Sequence, residues 1–203
     1  MTATTAERSR TPATLILITL IMLMIGTRLH HFDPVPDASW AVFFIGGFYL
    51  RRWTAWAFPL LMALAVIIDY YVITSLGMNF WQHYCMSPAY WFLIPAYFAM
   101  WAGGGIARRF VVRNDVRALV ATAACLLVAV VACHLLSQGS FYWISSSVAE
   151  PTFAGWWKNY TDWFPLYLRT TAIYVGIAAI VHLVAAQIAT HAHQSHAGDH
   201  RLR

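Results

Sequence analysis

Cys85 has the plainest capacity for chemistry in this chain. It lies in Trp81-Gln82-His83-Tyr84-Cys85-Met86-Ser87-Pro88, between two apolar runs, with His83 close by and Pro88 opening the second run. A thiol near a histidine and a helix N-terminus has reasons to ionise, and a thiolate serves as a nucleophile or as a soft ligand for a transition metal. A loop thiol shielded by its neighbours is the plainer alternative. Cys125 and Cys133 share one apolar run, about 12 Å apart along a helix axis, too far for a disulfide. They read as small buried hydrophobes, which leaves Cys85 unpaired.

Ionisable residues within apolar runs come next, because a charge in a bilayer is costly and usually has a function. Asp69, His134 and Arg169 all fall in the outer third of their runs by helix rise, with Arg28 ending the first run at a similar level. Their shared depth predicts a polar cavity open to the outside. The alternative is a structural pair, Asp69–Arg169 or Asp69–His134, that holds helices together. A bis-histidine haem on His134 and His182 fails on depth, since the two lie roughly 15–20 Å apart by helix rise. The tail, with His191, His193, His196 and His200, reads as a polar terminus with incidental metal affinity. No Walker A, G-x-G-x-x-G or H-E-x-x-H pattern occurs, so an ATP-driven motor would have to be another chain.

The elements that must position these residues follow from composition. Of 203 residues, 60% are hydrophobic, 16% aromatic and 10% charged. Soluble domains carry about 25% charged residues, so this chain cannot cover a water-facing surface. The formal charge of +5 is scattered in short groups between apolar runs, which excludes a nucleic-acid face. Apolar runs at 13–28, 38–50, 53–76, 88–107, 116–137 and 163–190 predict an all-α integral membrane protein of six transmembrane helices. The first run, with no A-x-A-like cleavage site after it, reads as a retained span.

Six spans with both termini cytoplasmic place ten of the thirteen Lys/Arg inside, leaving Arg28, Lys158 and Arg169 outside, as the positive-inside rule requires. The chain then divides into a cytoplasmic tail at 1–12, a membrane domain at 13–190 and a His-rich cytoplasmic tail at 191–203. Inner connections are short. The outer ones, at 30–39, 77–87 and 138–162, are long and aromatic. Trp40, Trp81, Trp91, Trp143, Trp156, Trp157 and Trp163 fall in these loops or at their junctions. That excess predicts a cap or ligand mouth on the outer side, beyond an ordinary interfacial belt.

The six-helix layout, short inner turns and aromatic outer loops resemble the substrate-binding S-components of energy-coupling-factor vitamin transporters. The lone cysteine in Cys85-Met-Ser-Pro-Ala-Tyr90-Trp91 is similar to that of the solitary vitamin B12 transporters of the BtuM type, found in the inner membrane of Gram-negative bacteria. The resemblance covers residues 13 to 190. It implies that cobalamin is the transported substrate, that Cys85 is an axial ligand to its cobalt, and that the ligand loops face the periplasm. A thiolate suits cobalt held by corrin nitrogens and weakens the ligand trans to it, so the resemblance also implies a catalytic role for Cys85 in reductive removal of cyanide. Asp69, Tyr84, Tyr90, His134, Trp143 and Arg169 are then the candidate substrate-binding residues. S-components dock on their motor through small residues spaced i, i+4 on the first helix. Here Ala13 is followed at that spacing by Leu17, which predicts no dedicated ATPase module, with cobalamin and membrane lipid as the partners. The competing readings are an S-component for another vitamin, an intramembrane thiol redox protein, and a structural subunit whose loops bind a periplasmic protein.

Overall fold

A computed structural model of the chain describes residues 5–29, 36–83, 86–111 and 115–199, the side chains of 5–11 and 189–199 excepted. Tyr84 and Cys85 lie outside the described residues, as do 30–35 of the first outer connection. Among the described residues every regular element is helical: α1 (Thr5–Arg28), α2 (Ser39–Leu50), α3 (Thr54–Ser75), α4 (Leu93–Phe110), α5 (Val116–Ile144) and α6 (Phe153–Asp199). Single 3-10 segments, Arg51–Trp53 and Pro88–Phe92, lead into α3 and α4. Local signals account for several ends. Asp115, extended at φ −118°, accepts a hydrogen bond from the Ala118 amide at 2.9 Å and caps α5. Gly77, at φ 75°, ends α3. Its amide bonds to the Thr74 carbonyl, and that of Met78 to the Ile73 carbonyl, a Schellman pattern that the missing Cβ permits.

Among the described residues three segments are long and apolar enough to cross a membrane: Ser39–Ser75, Val116–Ile144 and Phe153–Ile188. Pro12–Arg28 is a shorter apolar helix. Six apolar runs therefore do not become six full-length spans by this measure. The first segment is not one straight rod. The rings of Phe43 and Phe58 are 5.4 Å apart, whereas fifteen residues of continuous helix would separate them by about 22 Å. The chain therefore doubles back at Arg51–Trp53, and α2 and α3 form a hairpin.

Burial explains why α2 can be short. Ten of its twelve residues are buried, on all sides, so its surroundings are other helices rather than lipid. Leu15, Ile67, Val120, Val128, Ile177 and Val181, on the outer faces of the bundle, are exposed. A soluble monomer rarely shows so much apolar surface, and lipid is its natural cover.

Two expected connections are shorter than hydropathy implied. The outer connection at 138–162 is mostly helix, because α5 runs on to Ile144 and α6 starts at Phe153. The tail expected at 191–203 is helical through Asp199. Hydropathy marks where lipid ends, and a helix can continue into water.

The tightest contact joins α2 to α4. A β-carbon at Gly104 would overlap the carbonyl oxygen of Phe44, and one at Gly47 the carbonyl oxygen of Trp101. Small residues let helix backbones approach this closely, the usual way to gain packing energy in a bilayer. Gly104→Ala or Gly47→Ala is therefore expected to destabilise the protein by about 1–3 kcal/mol, because the helices must move apart. Gly176→Ala, where a β-carbon meets nothing within 4 Å, should be neutral or stabilising, as helix propensity favours alanine. Unfolding in detergent micelles checks the contrast.

Candidate functional site

The C-terminal parts of α1 and α3 and the N-terminal parts of α2 and α4 are tied together by Arg28. It is the last residue of α1 and is buried, at 7% exposure. Its Nε and Nη2 donate to the two oxygens of Asp69, both at 2.7 Å, in a bidentate fork. Its Nη1 donates to Asp37 Oδ2 at 3.0 Å, Ser39 Oγ at 2.9 Å and Tyr97 Oη at 3.2 Å. The Asp37 Oδ1 atom accepts from the amide and hydroxyl of Ser39. Tyr90, on the 3-10 segment before α4, donates its hydroxyl to Asp69 Oδ2 at 2.7 Å. One guanidinium thus faces two carboxylates, and its planar fork, which lysine lacks, satisfies both.

This arrangement changes how the candidate residues group. Asp69 and Tyr90 are brought together, with Arg28 as the cationic partner. Arg169, one of the two partners considered for Asp69, is exposed on α6. His134, the other, is fully buried in a separate aromatic box on α5. Its ring packs against Trp40, Tyr160, Phe164 and Tyr167 at centroid distances of 4.5–6.0 Å. His134 Nε2 lies 3.0 Å from the Tyr160 carbonyl oxygen. A carbonyl only accepts, so Nε2 carries the proton and the neutral ring leaves Nδ1 as an acceptor. Nothing among the described residues donates to it. Trp40 sits beside Ser39 and stacks on Tyr167 at 4.6 Å, which makes it the wall between the Arg28 network and the His134 box.

Trp143 is half-exposed and borders a groove of ≈ 330 Å³ with Leu135, Gly139 and Trp156, where the C-terminal part of α5 meets the start of α6. A second groove, ≈ 290 Å³ and almost wholly apolar, lies between α2, α5 and α6 near the opposite end, beside Phe48, Asp115 and His182. There His182 Nδ1 pairs with the Tyr49 hydroxyl at 2.9 Å. Each groove takes a small-molecule fragment rather than a whole corrinoid.

Two contacts involve the described residues on either side of Cys85. The Met86 amide donates to the His83 carbonyl at 2.8 Å, and Tyr90 is held by Asp69. Cys125 is partly exposed and Cys133 buried, and neither is in a disulfide. No group of three or more His, Cys, Asp or Glu among the described residues is placed to hold a metal ion.

Arg28 stood out in the sequence only by its depth. Asp37, Ser39 and Tyr97 carried no sequence signal, because a polar residue before a helix and a tyrosine within one are both ordinary. The box residues Tyr160, Phe164 and Tyr167 do recur at i, i+4 and i+7, a helical stripe that could have been read as one face. Compared with known proteins, the chain matches no family model and no curated sequence.

Proposed function

We propose that this protein takes up cobalamin across a bacterial inner membrane. In this reading the chain spans the membrane six times with both termini in the cytoplasm, and the α2–α3 hairpin supplies two of those passes. α2 crosses inside a sheath of other helices. The corrinoid enters from the periplasmic side, Cys85 is the axial ligand to cobalt, and the same thiolate assists loss of an upper cyanide once an electron is supplied. In this reading the chain works without a dedicated ATPase module, since Ala13 is followed four residues on by Leu17 rather than by a small residue.

The observation that carries this reading is the Tyr90–Asp69–Arg28 anchor. Five residues beyond the lone cysteine, the chain is bonded into a buried ionic network shared by four helices. Such an anchor fixes Tyr90 on the C-terminal side of the cysteine, and ligation by a neighbouring residue draws on support of this kind.

Growth tests the proposal directly. A cobalamin auxotroph that lacks its own inner-membrane uptake system should grow on limiting cyanocobalamin when it expresses this chain, and fail without it. Purified protein incubated with cobalamin should retain colour through gel filtration. A chain that is folded in the membrane yet supports no growth and retains no corrinoid is not a cobalamin carrier.

A further inference from the structure

Four buried side-chain polar atoms lack a hydrogen-bond partner among the described residues, and three of them fall on the seam between the outer halves of α5 and α6: His134 Nδ1, Trp156 Nε1 and Asn159 Oδ1. Buried polar atoms are nearly always paired, so three orphans on one seam call for an explanation. Two contacts locate them. The bond from His134 to the Tyr160 carbonyl sets His134 and Asn159 at one level. A β-carbon at Gly139 would stand 3.7 Å from Trp156 Nε1, about one helical turn, or 6 Å, farther out.

We propose that this seam is a binding site for neutral carboxamide groups. An indole N–H only donates, while Asn159 Oδ1 and the unprotonated His134 Nδ1 accept. The complementary ligand has an acceptor oxygen for Trp156 and N–H donors for Asn159 and His134. A primary carboxamide has that composition. The ionised pair on this stretch of α6, Lys158–Asp162, lies on its exposed face, so a charged ligand in the seam would be desolvated without compensation. Trp156, Tyr160 and Phe164 supply the apolar wall. Trp156 also borders the groove beside Trp143, whose ≈ 330 Å³ gives a carboxamide-bearing arm its way in. This deepens the cobalamin reading, on which it rests for the identity of the cargo: the corrin rim carries neutral acetamide and propionamide arms. The amide chemistry of the seam is independent of that identity.

The test uses two variants of the full chain, Trp156→Phe and the near-isosteric Asn159→Leu, each of which removes one orphaned atom. Without ligand Asn159→Leu should melt at a higher temperature than the wild type, because an unpaired buried polar atom is a cost that an apolar one is not, whereas in Trp156→Phe the lost ring volume opposes that gain. Each should weaken cobalamin binding about tenfold, the worth of one hydrogen bond in a buried site. In the wild type, the indole N–H resonance of Trp156, assigned by its loss in Trp156→Phe, should move on titration with propionamide and stay still with propionate. If the wild type binds no cobalamin but propionamide moves that resonance, the cargo reading falls and the carboxamide site stands. If cobalamin binds the wild type and both variants alike, and propionamide leaves the resonance unmoved, the carboxamide site is overturned and the cargo reading stands.

Discussion

Arg28→Met is expected to cost the folded protein about 3–5 kcal/mol, the usual penalty for removing one partner of a buried ion pair. The guanidinium makes five hydrogen bonds to four residues, and without it Asp37 and Asp69 face each other with no cation. Their side chains retain 20% and 19% exposure. Some water therefore reaches them, which favours the lower end of that range. The double variant Arg28→Met with Asp69→Leu should recover much of the loss, because replacing a buried pair by apolar groups is far cheaper than orphaning one charge. Tyr90→Phe removes a single donor to Asp69 and should cost about 1 kcal/mol. Unfolding of the wild type, Arg28→Met, Asp69→Leu and their double variant in the same micelles gives the cycle, with Tyr90→Phe measured beside it. An Arg28→Met protein as stable as the wild type would mean that the network contributes nothing.

Cys85→Ser should abolish the thiolate-dependent absorbance of bound cobalamin and weaken binding, because a hydroxyl is a harder and much less acidic donor than a thiol. Cys125→Ser and Cys133→Ser should leave the spectrum as it is, since both thiols lie within α5. The pH dependence has a defined sign. Under the proposed ligation only the deprotonated sulfur binds cobalt, so the spectral change should be present at higher pH, fade reversibly as pH falls, and be absent at every pH in Cys85→Ser. A shielded loop thiol predicts three variants with one spectrum. If Cys85→Ser keeps full affinity and an unaltered cobalt spectrum, cobalt ligation by this residue is excluded.

The amino-acid sequence by itself determined the class of the protein and its need for a partner at Asp69. A charged fraction of 10% cannot solvate a surface, and long apolar runs without water must satisfy their backbones as helices. Both conclusions concern each segment alone. A carboxylate in such a run also needs a counter-charge, and that much was legible. Which counter-charge was not. Arg28, Arg169 and His134 share a depth, and depth says nothing about rotation around a helix axis. Helix packing sets that rotation, including the α2–α4 contact at Gly47 and Gly104. It turns Arg28 inward onto Asp69, leaves Arg169 exposed and closes aromatic rings around His134. The extents of α5 and α6 escaped hydropathy for a related reason, because an aromatic helix beyond the bilayer reads as a loop. The orphaned atoms of the α5–α6 seam left no trace in the sequence at all. Whether a histidine, an indole or an amide lacks a partner depends on what faces it from another helix, and only the tertiary structure decides that.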